Sequence, residues 1–200
     1  MVGSYVGPGA APARGHGRGV GGEHPGARYV DVVEQIDPHE RNSMRPYLDK
    51  AIPDAWKAAS AYSDAVARAT AEQGLTTAEA EFIKVRASQL NACAFCLDLH
   101  SREARAAGIP QQKLDVLPAW RESDLFTERE KAMLAIAEAA TRMPLGEEAK
   151  ADLAAARGLL GDDVFAAAEW VALTINMFNR LSILSEHPVR PRDAEGALIR

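Results

Sequence analysis

The only two cysteines of the chain lie three residues apart in the stretch NACAFCLDLH, which spans residues 91–100. His100, one of five histidines, follows Cys96 by four residues. If Cys93, Cys96 and His100 share one helix, a spacing of three separates two Cα atoms by about 5 Å, which a disulfide tolerates. A spacing of four places His100 one turn beyond Cys96 on the same face. This pattern predicts a thiol pair that opens and closes reversibly, with an imidazole that serves Cys96 first.

The position of the two thiols predicts that they are acidic. Both fall in the first turns of the predicted helix, where unpaired backbone N–H groups and the positive end of the helix dipole favour a thiolate. Such settings lower a cysteine pKa from about 8.5 to roughly 3.5–7.5. Redox chemistry is therefore the favoured interpretation of Cys93 and Cys96, and it requires no cofactor and no metal.

Two other interpretations of the cysteine pair remain open. Thiols are small and apolar enough to pack in a core without any chemistry. Two thiolates and an imidazole are also zinc ligands, and Glu81 is the residue that would complete such a site. Haem attachment is excluded, because it requires a histidine directly after the second cysteine and Leu97 stands there. The chain also lacks the alternating βαβ pattern of a thioredoxin fold.

The segment before the cysteines carries an acidic residue, Glu81, in AEAEFIKVRASQLNAC. If the link near Asn91 folds this predicted helix back against the next one, Glu81 approaches His100. A carboxylate beside an imidazole raises its basicity and fixes its tautomer, so that the imidazole can take a thiol proton. The alternative is that Glu81 is a solvated surface charge paired with Lys84.

The elements that position these residues are predicted to be helices. From Met44 onward, apolar residues recur at spacings of three and four, and no segment alternates with period two, which predicts an all-α domain over residues 44–200. Thr76 with Glu79 and Thr127 with Glu130 match the capping-box pattern. The start and stop signals predict helices near residues 53–74, 76–90, 93–108, 110–117, 127–142 and 147–157, then a long helix after Asp162.

Residues 1–43 differ from the rest, since they are rich in glycine and proline and have no apolar period. We predict a disordered tail there, with at most a short helix near residues 28–44, and Met44 is an alternative start of the protein. The formal charge of −5 argues against nucleic acid as a partner. The apolar runs are too short to cross a membrane, and no signal peptide precedes the domain, so a cytoplasmic location is expected.

The last predicted helix, VFAAAEWVALTINMFNRLSILS, is apolar around most of its circumference. Such a helix needs neighbours on every side, which in a domain of this size indicates an oligomer. Among residues near the predicted site, Trp120 is interpreted as a packing anchor. Arg86 and Arg121 are interpreted as surface or interface charges.

At these residues the chain resembles the carboxymuconolactone decarboxylase and alkyl hydroperoxidase D (AhpD) superfamily, over about residues 45–189. The most specific match is a glutamate, Glu81, placed twelve residues before Cys93 in a Cys-x-x-Cys-x-x-x-His motif that ends at His100. The segments PAWRESDLFTEREKAMLAIAEA and INMFNRLSI also resemble the AhpD-like branch. The cysteine pair argues against the decarboxylase branch, which generally lacks it. Phe95 departs from the best-known AhpD enzymes, which carry a histidine at that position.

The resemblance implies an all-helical, AhpD-like fold and a thiol-dependent peroxidase. In this family the second cysteine, here Cys96, reacts with the hydroperoxide, and the first, here Cys93, resolves the product. Glu81 and His100 would form the proton relay. The resemblance also implies a dithiol or lipoyl-bearing protein as reductant and a homotrimer or homohexamer, with Asn179 and Arg180 at the subunit contact. Two alternative functions are kept: a redox-responsive binding or stress protein with little turnover, and a decarboxylase or isomerase that uses Glu81 and His100.

Overall fold

The computed structural model describes residues 45–193 and 196–199, and these residues are overwhelmingly helical. Within these ranges the regular β-structure is limited to one isolated bridge between Arg192 and Leu198. The α-helices are α1 (Leu48–Ala51), α2 (Pro53–Glu72), α3 (Thr77–Leu90), α4 (Ala94–Ala106), α5 (Gln111–Val116), α6 (Glu128–Thr141), α7 (Glu147–Leu160) and α8 (Asp162–Leu184), and a 3-10 helix, Leu117–Glu122, follows α5. The all-α prediction is confirmed. The predicted tail, the short helix near residues 28–44 and the question of Met44 lie outside the described residues.

Local sequence signals fix several helix ends. Thr76 and Thr127 are the N-caps of α3 and α6, and each forms the complete capping box that the sequence predicts. The prediction that α7 ends before Gly158 is wrong, because the helix continues to Leu160. Leu160 is buried, and the packing of its side chain offsets the cost of about 1 kcal/mol for a glycine inside a helix. The chain turns instead at Gly161, where a φ of 78° favours glycine.

The core lies around α8, which packs against α2, α3, α6 and α7. One cluster of buried residues joins α3, α6, α7 and α8. A second cluster joins α3 and α4 to α5, the 3-10 helix and α6, and it contains Trp120, which confirms that residue as a packing anchor. Because α3 contributes to both clusters, the helix that carries Glu81 is enclosed on most of its circumference.

The enclosure of α3 explains an error in the sequence interpretation of Arg86. Arg86 is only 7% exposed, so it is not a surface or interface charge. The Arg86 guanidinium donates from Nε and Nη2 to Oε1 of Glu138 on α6, at 2.8 Å for Nε. Trp120 Nε1 donates to the same carboxylate oxygen at 2.9 Å, and the partly exposed Arg121 pairs with the other. This buried network connects α3 to α6. The apolar periodicity of the sequence does not predict that charged residues are buried there.

We expect Arg86→Met to destabilise the protein strongly, because it removes both guanidinium hydrogen bonds to Oε1 of the buried Glu138 carboxylate. Breaking a buried pair from one side costs about 3–5 kcal/mol, whereas replacing both partners by apolar residues is often nearly neutral. Urea unfolding of Arg86→Met and of the double variant Arg86→Met/Glu138→Met measures the difference. The matched control is Arg157→Met, which removes a fully exposed pair with Asp162 and should change little. Equal stability of the single and double variants would contradict this account.

None of the helices in the described part of the chain is long and apolar enough to cross a membrane. Several large apolar side chains of α8 are nevertheless exposed: Trp170, Leu173, Ile183 and Leu184. The predicted oligomer stays a prediction.

Candidate functional site

The two cysteines lie at the start of α4, but not both inside it as the spacing argument assumes. Cys93 is the N-cap and has an extended backbone, and only Cys96 is helical. The Cys93 Sγ accepts a hydrogen bond from the Cys96 backbone N–H at 3.4 Å, in the way that an N-cap side chain usually does. Both thiols are free, and both are buried, at 2% and 3% exposure. The sulfur of Cys93 is therefore held beside the backbone of Cys96 by capping geometry.

The prediction of lowered pKa values is wrong for Cys93. Burial, and then a hydrogen bond with the Cys96 thiol, raises the pKa of Cys93 to about 12, although its N-cap position acts in the opposite direction. The sequence argument considered only the helix N-terminus and could not foresee how completely the thiol is enclosed. Cys93 therefore stays a neutral thiol near neutral pH.

Glu81 and His100 meet across α3 and α4. Glu81 Oε2 lies 3.0 Å from His100 Nδ1, and Glu81 Oε1 accepts a hydrogen bond from Lys84 Nζ at 2.7 Å. The residue is only 2% exposed, so the alternative of a solvated surface charge is wrong, although its predicted pairing with Lys84 does occur. Because Nδ1 faces the carboxylate, Glu81 orients the imidazole and leaves Nε2 as its other nitrogen for a partner.

Charge keeps Glu81 ionised in spite of its burial. Burial alone would raise the pKa of Glu81, but the hydrogen bond with His100 and the positive charge of Lys84 outweigh it and hold the pKa below the ordinary value of 4.5. The site therefore contains a permanent carboxylate behind the imidazole at neutral pH.

The lowered pKa of Glu81 predicts how its contribution to stability depends on pH. The folded state binds the proton more weakly than the unfolded state, so the contribution is fully present above about pH 4.5 and is lost as the pH falls through the lower folded value. Thermal unfolding of the wild type and of Glu81→Gln should therefore differ most near neutral pH and converge on acidification. A difference that grew towards low pH would have the opposite sign and contradict the assignment.

Cys96 and His100 line one cavity of about 550 Å³. Its wall is built from α2, α3, α4 and α8, and most of it is apolar; the larger apolar side chains are Trp56, Phe95, Leu99, Ile175 and Phe178. Sequence reasoning missed this cavity, because its wall combines the consecutive helices α2, α3 and α4 with α8, which lies far along the chain. A cavity of this volume accommodates a small organic molecule beside the thiol.

A second histidine, His187, also lines the cavity and was not singled out from the sequence. It follows α8, stacks on Tyr47 with ring centroids 5.1 Å apart and lies against Phe95 at 5.4 Å. His187 Nε2 lies 3.3 Å from Asp49. The segment after α8 therefore returns to the helix that carries the thiols, and no local pattern in the sequence predicts this long-range contact.

Buried amides of α8 hold the turn that leads to Cys93. Asn91 Nδ2 donates to Asn176 Oδ1 at 2.8 Å and to Asn179 Oδ1 at 2.9 Å. Asn179 is fully buried in its own chain, which corrects its expected place at a subunit contact. Arg180 is exposed and bonds to Asn176, and its expected role in a subunit contact stays a prediction.

The geometry does not gather the four residues of the zinc alternative. Among the described residues, the group that could present metal ligands together consists of Glu81, His100 and Glu103, with ligand atoms within 4.8 Å of one another. Neither cysteine belongs to it. A site made of both thiols, His100 and Glu81 is therefore not what this fold assembles.

Comparison with known proteins identifies the family. The family model described as "Carboxymuconolactone decarboxylase family" matches residues 53–139, a range that contains Glu81, both cysteines and His100. The uncharacterized protein YdfG of Bacillus subtilis is 32% identical over 114 residues, which make up 57% of this chain and 78% of YdfG. The chain is also similar to a protein of unknown function from Agrobacterium tumefaciens, whose crystal structure is described as that of a candidate antioxidant defence protein AhpD. The two sequences are 32% identical, and the structures match with a TM-score of 0.63. The match covers 73% of this chain and 99% of the Agrobacterium chain. The chain belongs to the carboxymuconolactone decarboxylase family, on its AhpD-like side.

Proposed function

We propose that this protein is a thiol-dependent peroxidase that reduces hydroperoxides through Cys96 and Cys93. The observation that carries the proposal is that Cys96 shares a cavity with His100, whose Nδ1 lies 3.0 Å from the buried carboxylate of Glu81. The resolving candidate, Cys93, lies one turn away with its sulfur against the Cys96 backbone. The relationship to a candidate antioxidant protein agrees with this chemistry.

In the first step, His100 takes the proton of the Cys96 thiol, and Glu81 stabilises the imidazolium that forms. The Cys96 thiolate attacks the terminal oxygen of the hydroperoxide, ROOH, and the O–O bond breaks. Cys96 becomes a sulfenic acid, and the leaving alkoxide receives the proton from His100 as an alcohol. The step converts thiol and ROOH into sulfenic acid and ROH, so that no other reactant is needed.

In the second step, the Cys93 sulfur attacks the sulfur of the Cys96 sulfenic acid. The Cys93–Cys96 disulfide forms, and the hydroxyl group leaves with the Cys93 proton as water. Since burial raises the pKa of Cys93 to about 12, this thiol gives up its proton only as the attack proceeds. The two cysteines thus have different roles because their surroundings differ.

The catalytic cycle ends with reduction of the disulfide by an external dithiol. We propose a dithiol or lipoyl-bearing protein as the reductant, a homotrimer or homohexamer as the assembly and the cytoplasm as the location. These proposals rest on the resemblance and on the redox chemistry, in which a disulfide that must be reduced again suits a reducing compartment.

The experiment that tests the proposed function is stopped-flow consumption of a small organic hydroperoxide by the pre-reduced protein, with mass spectrometry of the protein during the reaction. A sulfenic acid on Cys96 followed by a Cys93–Cys96 disulfide is the expected sequence. A rate no higher than that of a free thiol in solution would reject the peroxidase.

Two alternatives make different predictions in the same experiment. A redox-responsive binding or stress protein would form the disulfide quickly and reversibly but consume little peroxide. A decarboxylase or isomerase would use the Glu81–His100 pair, which reaches the cavity without help from the thiols. Such an acid–base activity would survive in the double variant Cys93→Ser/Cys96→Ser, in which the peroxidase activity is lost.

A further inference from the structure

The turn between α3 and α4 has an unusual backbone that its own sequence does not enforce. Ala92 has a φ of 54°, in the left-handed region that residues other than glycine rarely adopt. Such a conformation persists only where the surrounding structure holds it. The turn also determines the place of Cys93, whose backbone N–H donates to the Ser88 carbonyl at 3.0 Å. What holds the turn therefore also holds the thiol.

One side chain of α8, Asn179, holds this turn at two points. Its Nδ2 donates to Ser88 Oγ at 3.0 Å, and its Oδ1 accepts from Asn91 Nδ2 at 2.9 Å. Asn179 has no exposed surface, and Ser88 has none either. A carboxamide carries two N–H donors, so the hydrogen bond to Ser88 leaves one donor free. This fully buried amide thus spans the turn from its helical start to the residue that precedes Ala92.

The carboxamide of Asn179 also lies near the Cys93 thiol. It acts to lower the pKa of Cys93, against the stronger effect of burial, which raises that pKa to about 12. A neutral N–H donor stabilises a thiolate more than a thiol, since hydrogen bonds to a charged acceptor are the stronger ones. Among the groups around this enclosed sulfur, Asn179 therefore favours the charge that develops when Cys93 attacks.

We propose that Asn179 is the positioning residue of the resolving step: it fixes the turn that presents Cys93 and donates to the Cys93 sulfur as that sulfur attacks Cys96. This inference rests on the proposed function and assigns a residue to its second half. It separates the two steps, because Asn179 hydrogen-bonds Ser88 and Asn91 in the turn that carries Cys93, whereas Glu81 hydrogen-bonds His100, which lines the cavity together with Cys96. Loss of Asn179 should therefore slow disulfide closure and leave the first modification of Cys96 unchanged.

The test uses 4,4′-dithiodipyridine, a chromogenic disulfide, so that it does not depend on peroxide. The Cys96 thiolate attacks the reagent and releases one thiopyridone; Cys93 then attacks the mixed disulfide, releases the second thiopyridone and forms the Cys93–Cys96 bond. The isosteric variant Asn179→Asp keeps the acceptor for Asn91 and removes both N–H donors, the one that bonds Ser88 and the one proposed for Cys93. We expect its second phase to be slower by roughly 10-fold to 100-fold, with a midpoint shifted to higher pH, and its first phase to be unchanged.

Controls separate this effect from a general loss of structure. Thr141 accepts a hydrogen bond of 2.9 Å from Asn176, in the same network of buried amides but away from Cys93. Thr141→Val removes this bond, and both phases should keep their wild-type rates. Asn179→Leu removes the amide without introducing a carboxyl group. If this variant does not fold, Asn179→Asp alone decides. A second phase at the wild-type rate in folded Asn179→Asp would overturn the inference.

The outcomes also separate this inference from the proposed function. Two phases in the wild type without peroxide consumption would reject the peroxidase but leave the role of Asn179 measurable. A wild type with only one phase would mean that Cys93 does not resolve, which would overturn both. Rapid peroxide turnover together with unaffected closure in Asn179→Asp would reject the inference alone.

Discussion

Hydroperoxide turnover should be abolished in Cys96→Ser. The hydroxyl of serine is a much weaker nucleophile than a thiolate, and it cannot be oxidised to a sulfenic acid, so the loss should reach at least about 10³-fold, down to the background rate. The fold should survive, since serine nearly matches the volume of cysteine and the Cys93 cap accepts from the backbone N–H of Cys96, not from its sulfur. Stopped-flow peroxide consumption with the pre-reduced variant measures the effect.

The matched control for this prediction is Cys93→Ser. It should consume one equivalent of peroxide at nearly the wild-type rate and then stop, because the sulfenic acid of Cys96 has no resolving thiol. Dimedone labelling followed by mass spectrometry should find the adduct on Cys96 in Cys93→Ser and no adduct in Cys96→Ser. The reverse pattern, with labelling of Cys93, would exchange the roles of the two cysteines and remove the basis for the assignment.

Most of the helices can be predicted from the sequence, because the signals that start and end them are local. The capping boxes at Thr76 and Thr127 involve residues three apart, and their geometry is nearly independent of the rest of the chain. The end of α7 cannot be predicted in the same way. Gly158 looks like a helix stop, yet the structure continues to Leu160, because burial of that leucine depends on helices elsewhere in the chain.

In the candidate site, too, the local contacts could be predicted from the sequence and the long-range contacts could not. The meeting of Glu81 and His100 could be predicted because a short turn forces α3 and α4 to fold back against each other. The burial of Cys93 could not, because it depends on α8, a helix about 80 residues further on that brings Asn179 to the turn. The cavity and His187 were missed for the same reason: side chains from distant segments converge there without any shared period.

These long-range contacts explain why two cysteines of one motif differ. Cys96 lies on the wall of an open cavity beside His100, whereas Cys93 is enclosed behind the turn with a raised pKa. A cysteine that stays neutral until its partner is oxidised does not compete for the hydroperoxide. Both thiols are almost fully buried, so what supports the proposed order of the two steps is that Cys96 lines the cavity whereas Cys93 has the raised pKa.

The relay should be the next largest contribution to activity after Cys96. We expect His100→Gln to lower the second-order rate constant for hydroperoxide by roughly 10²-fold to 10⁴-fold, since the thiol then loses the base that takes its proton. Glu81→Gln should cause a smaller loss, of about 10²-fold at most, because the ring nitrogen remains but its orientation and charge support weaken. The pH dependence of the rate should change in both variants.

Glu103 offers the matched control for the relay, because it is a second carboxylate on the same imidazole nitrogen. Its Oε2 lies 3.3 Å from His100 Nδ1, close to the distance of Glu81, but its side chain is 47% exposed whereas that of Glu81 is 3% exposed. An exposed pair contributes little because water screens the charge, so Glu103→Gln should change the rate by less than about 5-fold. If Glu103→Gln and Glu81→Gln lose activity equally, or if neither changes the pH–rate profile, the buried carboxylate has only a structural role. A large loss confined to Glu81→Gln and His100→Gln would instead show that burial, and not mere proximity of a carboxylate, makes this imidazole an effective base for Cys96.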